Sequence, residues 1–246
     1  MRDDNKATLG NPNSNVTGGT VHIVHILDAS SSMAYGGKYI NALVGVNEDI
    51  EIQAKTPQDG VTTTMTVIEF SSDNPKGLTT RHYFMSPVVA CSAIRGRGAH
   101  GNTPLFQTVG ETIEEIVKAK HLSDKVLLKI FTDGEENSSK GLYQRDGGVW
   151  GPPKSEALTK LIKQVEDHHN FTVTFMSTKE ELRTMEAMGF MPDNMLAHDN
   201  TASGIKMSYD RSNLATTRYR KALSDGESQK QLKAGFFKRL DKEENK

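Results

Sequence analysis

From Thr20 to about Ser224, short apolar runs alternate with amphipathic helical segments. That order narrows the choice of fold more than any other feature of the chain. TVHIVHIL (Thr20–Leu27), KVLLKIF (125–131) and FTVTFMS (171–177) carry apolar side chains at consecutive positions, so each strand has to be covered on both faces. The segments at 38–55, 104–120, 154–169, 179–189 and 202–224 have helical periodicity and can provide that cover. In the first of them Ile40, Leu43, Val44, Asn47, Ile50 and Ala54 define the expected inward face. Strands separated by helices imply an α/β fold, with a doubly wound, mostly parallel sheet and helices on both faces. VTTTMTVIEF (61–70) and LTTRHYFMS (78–86) are joined by a short turn, which adds one antiparallel edge strand. The unbroken alternation gives one domain, 20–224, preceded by a polar arm (1–19) and followed by a polar tail (225–246). Within the tail, LKAGFFKRL (232–240) is amphipathic and could dock on a partner or on the domain itself.

Composition removes several function classes. The formal net charge is -1, and the two mildly basic stretches near the end lack the dense charge and interleaved aromatics of a nucleic-acid surface. A single cysteine, Cys91, excludes an internal disulfide framework and a cysteine-built zinc cluster. No apolar run approaches the roughly 20 residues needed to cross a bilayer. The first residues are polar, so a cytoplasmic location is expected, and the sequons at Asn15, Asn137 and Asn170 are taken as chance matches.

Functional groups of such a sheet collect beyond the carboxyl ends of its strands. There the chain places Asp28, Ser30 and Ser32 after the first strand, and Asp133 after KVLLKIF. Thr103 lies in the loop IRGRGAHGNTP that opens a helix. If the segment at Asp28 is locally extended, its alternate side chains face one point. The five residues then offer two carboxylates and three hydroxyls, all hard oxygen donors that suit Mg²⁺, with Mn²⁺ or Ca²⁺ as alternatives. Two acids at most neutralise a divalent ion, so such a site would still accept a carboxylate from outside.

DASSS, the threonine of GNTPL and FTDGEEN together resemble the metal-ion-dependent adhesion site of von Willebrand factor A domains. The resemblance covers about 200 residues, and all five positions fall in the family's order. It implies a Rossmann-like fold, a divalent metal at Asp28, Ser30, Ser32, Thr103 and Asp133, and recognition of a partner protein through its Asp or Glu. It also implies that ion binding can be coupled to a shift of the last helix. Such a chain is a binding module and not an enzyme, an adaptor beside an ATPase or an assembly factor of a phage or bacterial machine. Arg95, Arg97 and His100 on one side, with Glu135 and Trp150 on the other, are the candidate partner-binding rim.

Other readings of the same residues stand beside this one. Asp28 could cap the following helix. GRGAHGNT approaches the phosphate-loop pattern, but Asn102 stands where its lysine belongs, which weakens a nucleotidase or phosphohydrolase reading. The metal reading requires three separated turns to meet, and a pocket filled by a lysine ammonium instead of an ion would overturn it.

Overall fold

The computed structural model describes residues 19–73, 79–84, 95–96, 98–121, 123–146, 153–233, 235–238 and 240. The expected arm at 1–19 lies outside these apart from Gly19, as do Cys91, Arg97 and Trp150. Six strands form one sheet in the order β3-β2-β1-β4-β5-β6. They are β1 (Gly19–Asp28), β2 (Val61–Phe70), β3 (Thr79–Phe84), β4 (Lys125–Phe131), β5 (Phe171–Ser177) and β6 (Met195–Ala197). Neighbouring strands are parallel except β3, which pairs antiparallel with β2 at the edge. The helices are α1 (Lys38–Lys55), α2 (Leu105–Ala119), α3 (Glu156–His168), α4 (Lys179–Ala187), α5 (Ala202–Ser224) and α6 (Gln229–Lys233).

The period-two alternation of each central strand feeds two separate cores. Val21, Ile23 and Leu27 of β1 join Leu127 and Phe131 of β4 under α1, α5 and α6. Val24 and Ile26 join Val126, Leu128 and Ile130 under α2, α3 and α4. This is the doubly wound α/β arrangement expected from the strand and helix order.

Helix α1 buries Leu43 and Ile50 as its apolar pattern suggests, but its inward face is rotated away from the rest of that pattern. Ile40 and Val44 are exposed, while Tyr39, Ala42, Val46, Asp49 and Gln53 are buried. The polar members can be inside because they have partners. The Lys129 ammonium, from the middle of β4, donates to Asp49 Oδ2 (2.6 Å) and to Thr216 Oγ1 of α5 (2.9 Å). Asp49 also pairs with His25 Nε2 of β1 (3.0 Å) and accepts from Gln53 Nε2 (2.7 Å). Arg220 of α5 donates to Gln53 Oε1 (2.6 Å) and Thr63 Oγ1 of β2 (2.9 Å). Burial acts to raise the Asp49 carboxyl, but Lys129 and His25 outweigh it and hold it at about 2.

The tail is not a free polar segment. Leu232, Phe236, Phe237 and Leu240 are all buried in the core beneath α5 and α6. Phe236 meets Tyr219 and stacks edge-on against Phe237 (4.9 Å between ring centroids). The backbone of this strap is held at Asn194, whose side chain accepts from Phe236 N–H (2.9 Å) and donates to the Lys233 carbonyl (3.0 Å). LKAGFFKRL therefore docks on its own domain, and the packed unit extends to Leu240.

Phe236→Ala should lower stability by about 3–5 kcal/mol, read by urea unfolding. Asp49→Ala leaves the Lys129 charge buried without its carboxylate and should cost about 3–5 kcal/mol at neutral pH. A carboxyl held below its unfolded value near 4 contributes fully above that pH and loses its contribution as the pH falls to about 2. The gap between wild type and Asp49→Ala should narrow across that same interval.

Candidate functional site

β1 and β4 are adjacent and parallel, with Leu27 opposite Phe131, so Asp28 and Thr132 leave the sheet together. Asp28 is fully buried. Its Oδ1 accepts from the Ser30 amide (2.8 Å) and its Oδ2 from the Thr132 hydroxyl (2.5 Å). Burial pushes the Asp28 carboxyl up to about 6, the hydrogen bonds from Thr132 and Ser30 oppose that rise, and the charge of Asp133 adds to it.

Extended backbone continues only as far as Ser30. Residues Ser31–Gly37 then form a 3-10 segment, kinked at Tyr35 and Gly36, and α1 begins at Lys38. A turn, rather than alternation along a strand, brings Ser32 Oγ to 3.1 Å from Ser30 Oγ. It also separates Asp28 from the N-terminus of α1, so Asp28 is not the cap of that helix.

The glycine-rich loop is stitched to this turn. His100 N–H donates to the Ala29 carbonyl (2.8 Å), and Ser31 N–H donates to the Gly101 carbonyl (2.8 Å). Gly101 has φ +80, and a Cβ there would come within 2.8 Å of the Asp73 carboxyl carbon, so the stitch needs glycine. Thr103 is then clasped from the other side. Its N–H donates to Asn137 Oδ1 (2.9 Å), and Asn137 N–H donates to the Thr103 carbonyl (3.2 Å). Ser32 Oγ donates to Asp133 Oδ1 (2.6 Å), which joins the third turn to the first.

Gly134 shows where these groups converge. A Cβ on it would lie 3.1 Å from Ser32 Oγ and 3.6 Å from Thr103 Oγ1, so both hydroxyls line a space that a side chain would fill. Adjacent ligands of an octahedral magnesium ion, each about 2.1 Å from it, are about 3 Å apart, and the Ser30–Ser32 hydroxyl pair has that spacing. The donor set is hard, small and oxygen-only, and it fits a divalent ion of the magnesium type. Among the described residues no group of three or more His, Cys, Asp or Glu side chains is arranged to hold a metal ion, and the donor set here is two carboxylates with three hydroxyls.

One cation of the protein itself reaches the site. The Lys38 ammonium, from the first residue of α1, forms an ion pair with Asp133 Oδ2. The Asp133 side chain is fully buried and that of Lys38 is 12% exposed. The two oxygens of Asp133 are thus divided, one facing Ser32 and the other facing Lys38. A positive charge is thus brought beside the site by the ammonium of the first residue of α1.

Of the candidate rim, Arg95 and His100 are exposed on the glycine-loop side. Glu135 is exposed on the opposite side and pairs with Arg145 (3.3 Å). Glu136 is not a rim residue, because it is fully buried. Its carboxylate accepts from the backbone of Phe106 (2.8 Å), Ser138 (2.9 Å) and Ser139 (2.7 Å). Ser139 Oγ takes the next amide of α2, that of Gln107 (2.8 Å). The amides that a phosphate would use at the start of α2 therefore already serve the protein's own groups, which weighs against the phosphate-loop reading.

Sequence reasoning missed Lys38, Thr132 and the parts that Glu136 and Asn137 play in holding the loops. Thr132 and Glu136 lie within the FTDGEEN motif and were legible as polar residues just beyond a strand end. Nothing in the sequence signals that Lys38 folds back over Asp133.

No protein-family model and no curated protein matches this chain. Solved structures do. The pilus adhesin SpaC from Lactobacillus rhamnosus GG, in its open conformation, superposes with a TM-score of 0.58 at 15% identity, over 81% of this chain and 30% of the adhesin. The SpRpn10 VWA domain gives 0.53 at 10% identity, over 78% of this chain and 94% of that one. The vWF domain of the type V pili tip protein Mfa5 from Porphyromonas gingivalis gives 0.52 at 9% identity, over 81% and 95%. The fold is that of a von Willebrand factor A domain. This chain spans less than half the length of the first structures that it matches, 30% for SpaC and 43% for a type A protein from Catenulispora acidiphila.

Asp28→Asn removes a buried charge yet keeps both contacts. Its carbonyl can accept from Ser30, and its amide can donate to Thr132, whose hydroxyl also reaches the Gly134 carbonyl (3.0 Å). The variant should therefore melt no lower than wild type in a calorimetric scan without added metal.

Proposed function

We propose that this chain is a non-enzymatic protein-binding module that holds a divalent ion, Mg²⁺ or alternatively Mn²⁺ or Ca²⁺, and through it takes up an acidic residue of a partner protein. The observation that carries the proposal is the meeting of Ser32, Thr103 and Asp133 around the side-chain-free Gly134, with Ser30 one ligand spacing away. Ser30, Ser32 and Thr103 would hold the ion with Asp28 and Asp133, directly or through water. The ion supplies a positive centre that a partner carboxylate can join. The chain's own part is to keep that centre short of negative charge. Asp28 is tied to Ser30 and Thr132, and Asp133 is shared with Lys38, so neither carboxylate is wholly free for the ion. Exposed Arg95 and His100 beside the site favour an acidic approach. An adhesin and a pilus tip protein among the structures sharing the fold agree with a binding role. An adaptor beside an ATPase and an assembly factor of a phage or bacterial machine are the two settings that suit such a module.

The Lys38–Asp133 pair favours a second reading, in which the ammonium is a permanent counter-ion and the domain serves as a metal-free structural component.

Titration with Mn²⁺, followed by electron paramagnetic resonance, separates the two. One ion per chain should bind, and Gly134→Ala should weaken it by roughly 10–100-fold, the range seen when the supports of a metal site are disturbed. A short aspartate-containing peptide should lower the water-proton relaxation caused by bound Mn²⁺, because its carboxylate replaces a water. No binding at millimolar Mn²⁺ would overturn the metal reading.

A further inference from the structure

We propose that Lys38 is a tethered competitor for the ion: its ammonium neutralises Asp133 in the metal-free protein and has to swing away before a divalent ion can bind fully. The inference rests on the metal reading of the site and adds to it a regulation of ion affinity by the chain itself.

Three observations lead to it. First, the Asp133 side chain is fully buried. A buried carboxylate without a counter-charge is strongly unfavourable, so the metal-free site needs a cation from somewhere, and Lys38 provides one. Second, the ammonium bonds to one oxygen of the carboxylate whose other oxygen bonds to Ser32, a candidate ion ligand. An ion held by Ser32 and Asp133 would sit only a few ångströms from that ammonium, and like charges at such a distance in a partly buried place repel. Third, Lys38 can leave without disturbing the fold. It is the first residue of α1, its side chain is partly exposed, and its flexible four-carbon stem can carry the ammonium to water. The backbone before it is set by Gly36 and Gly37, both at positive φ, so the exchange is a side-chain movement at a fixed helix start.

Two consequences follow. The ion binds more weakly than its ligands alone would allow, because part of its attraction is spent on expelling the ammonium. The site also prefers a double charge, since a monovalent ion gains little by replacing a cation already in place.

The test compares Mn²⁺ binding by calorimetry, and thermal unfolding with and without Mn²⁺, for wild type, Lys38→Met and Lys38→Gln. The lysine-free variants should bind Mn²⁺ roughly tenfold or more tightly than wild type, a size typical of a coupling between two charged sites. Without metal they should melt below wild type, and saturating Mn²⁺ should close that gap. If wild type binds Mn²⁺ and the variants bind it equally or more weakly, the competitor role of Lys38 is overturned while the metal site stands. If neither wild type nor either variant binds, the metal reading falls and the competitor role with it. Two substitutions of different polarity guard against a folding defect peculiar to one of them.

Discussion

Two neighbouring strands that run the same way and end in acids govern this molecule. β1 and β4 are adjacent because the sheet is doubly wound, and their register aligns Leu27 with Phe131. Asp28 and Asp133 therefore leave the sheet on either side of the bonded Ser30–Ser32 pair. Two carboxylates brought so close below the surface repel and lose solvation, and the rise of Asp28 to about 6 records both effects. The surrounding architecture acts to make that placement tolerable. Thr132 and the Ser30 amide bond to Asp28, while Ser32 and Lys38 bond to Asp133.

Much of this was legible in the sequence, for physical reasons. Runs such as KVLLKIF have to be covered on both faces, and only a few layered folds allow that. The five oxygen donors were legible because side chains with chemistry collect where parallel strands end. The inward face of α1 was not. Apolar periodicity selects Ile40 and Val44, whereas the fold buries Asp49 and Gln53 through partners on β1, β4 and α5 that lie far away in the chain. A pattern built on hydrophobicity cannot foresee a polar residue made tolerable by a distant ammonium. The geometry around Ser32 was missed for a related reason. An extended segment and a 3-10 turn can present the same pair of hydroxyls, and only the stitching to Gly101 selects the turn. The amphipathic tail segment left docking on a partner or on the domain open, and its buried phenylalanines place it on the domain's own core.

The site and the buried polar network occupy the same helix. Lys38 opens α1 at the site, and about three to four turns later Asp49 and Gln53 anchor it to β4 and α5. The glycine pair ahead of Lys38 fixes where the helix begins, and the network fixes how it is rotated. The reach of the ammonium toward Asp133 is thus set by contacts further along α1, away from the site.

Helix α5 is bolted in place. Thr216 receives the Lys129 ammonium in mid-helix, Arg220 threads between Gln53 and Thr63, and Phe236 closes over Tyr219 near the C-terminal end. A piston-like slide of this helix by one turn would unseat a cation from each of two polar anchors and peel away the aromatic latch. The shift of the last helix that the family resemblance implies would therefore have to break each of these contacts.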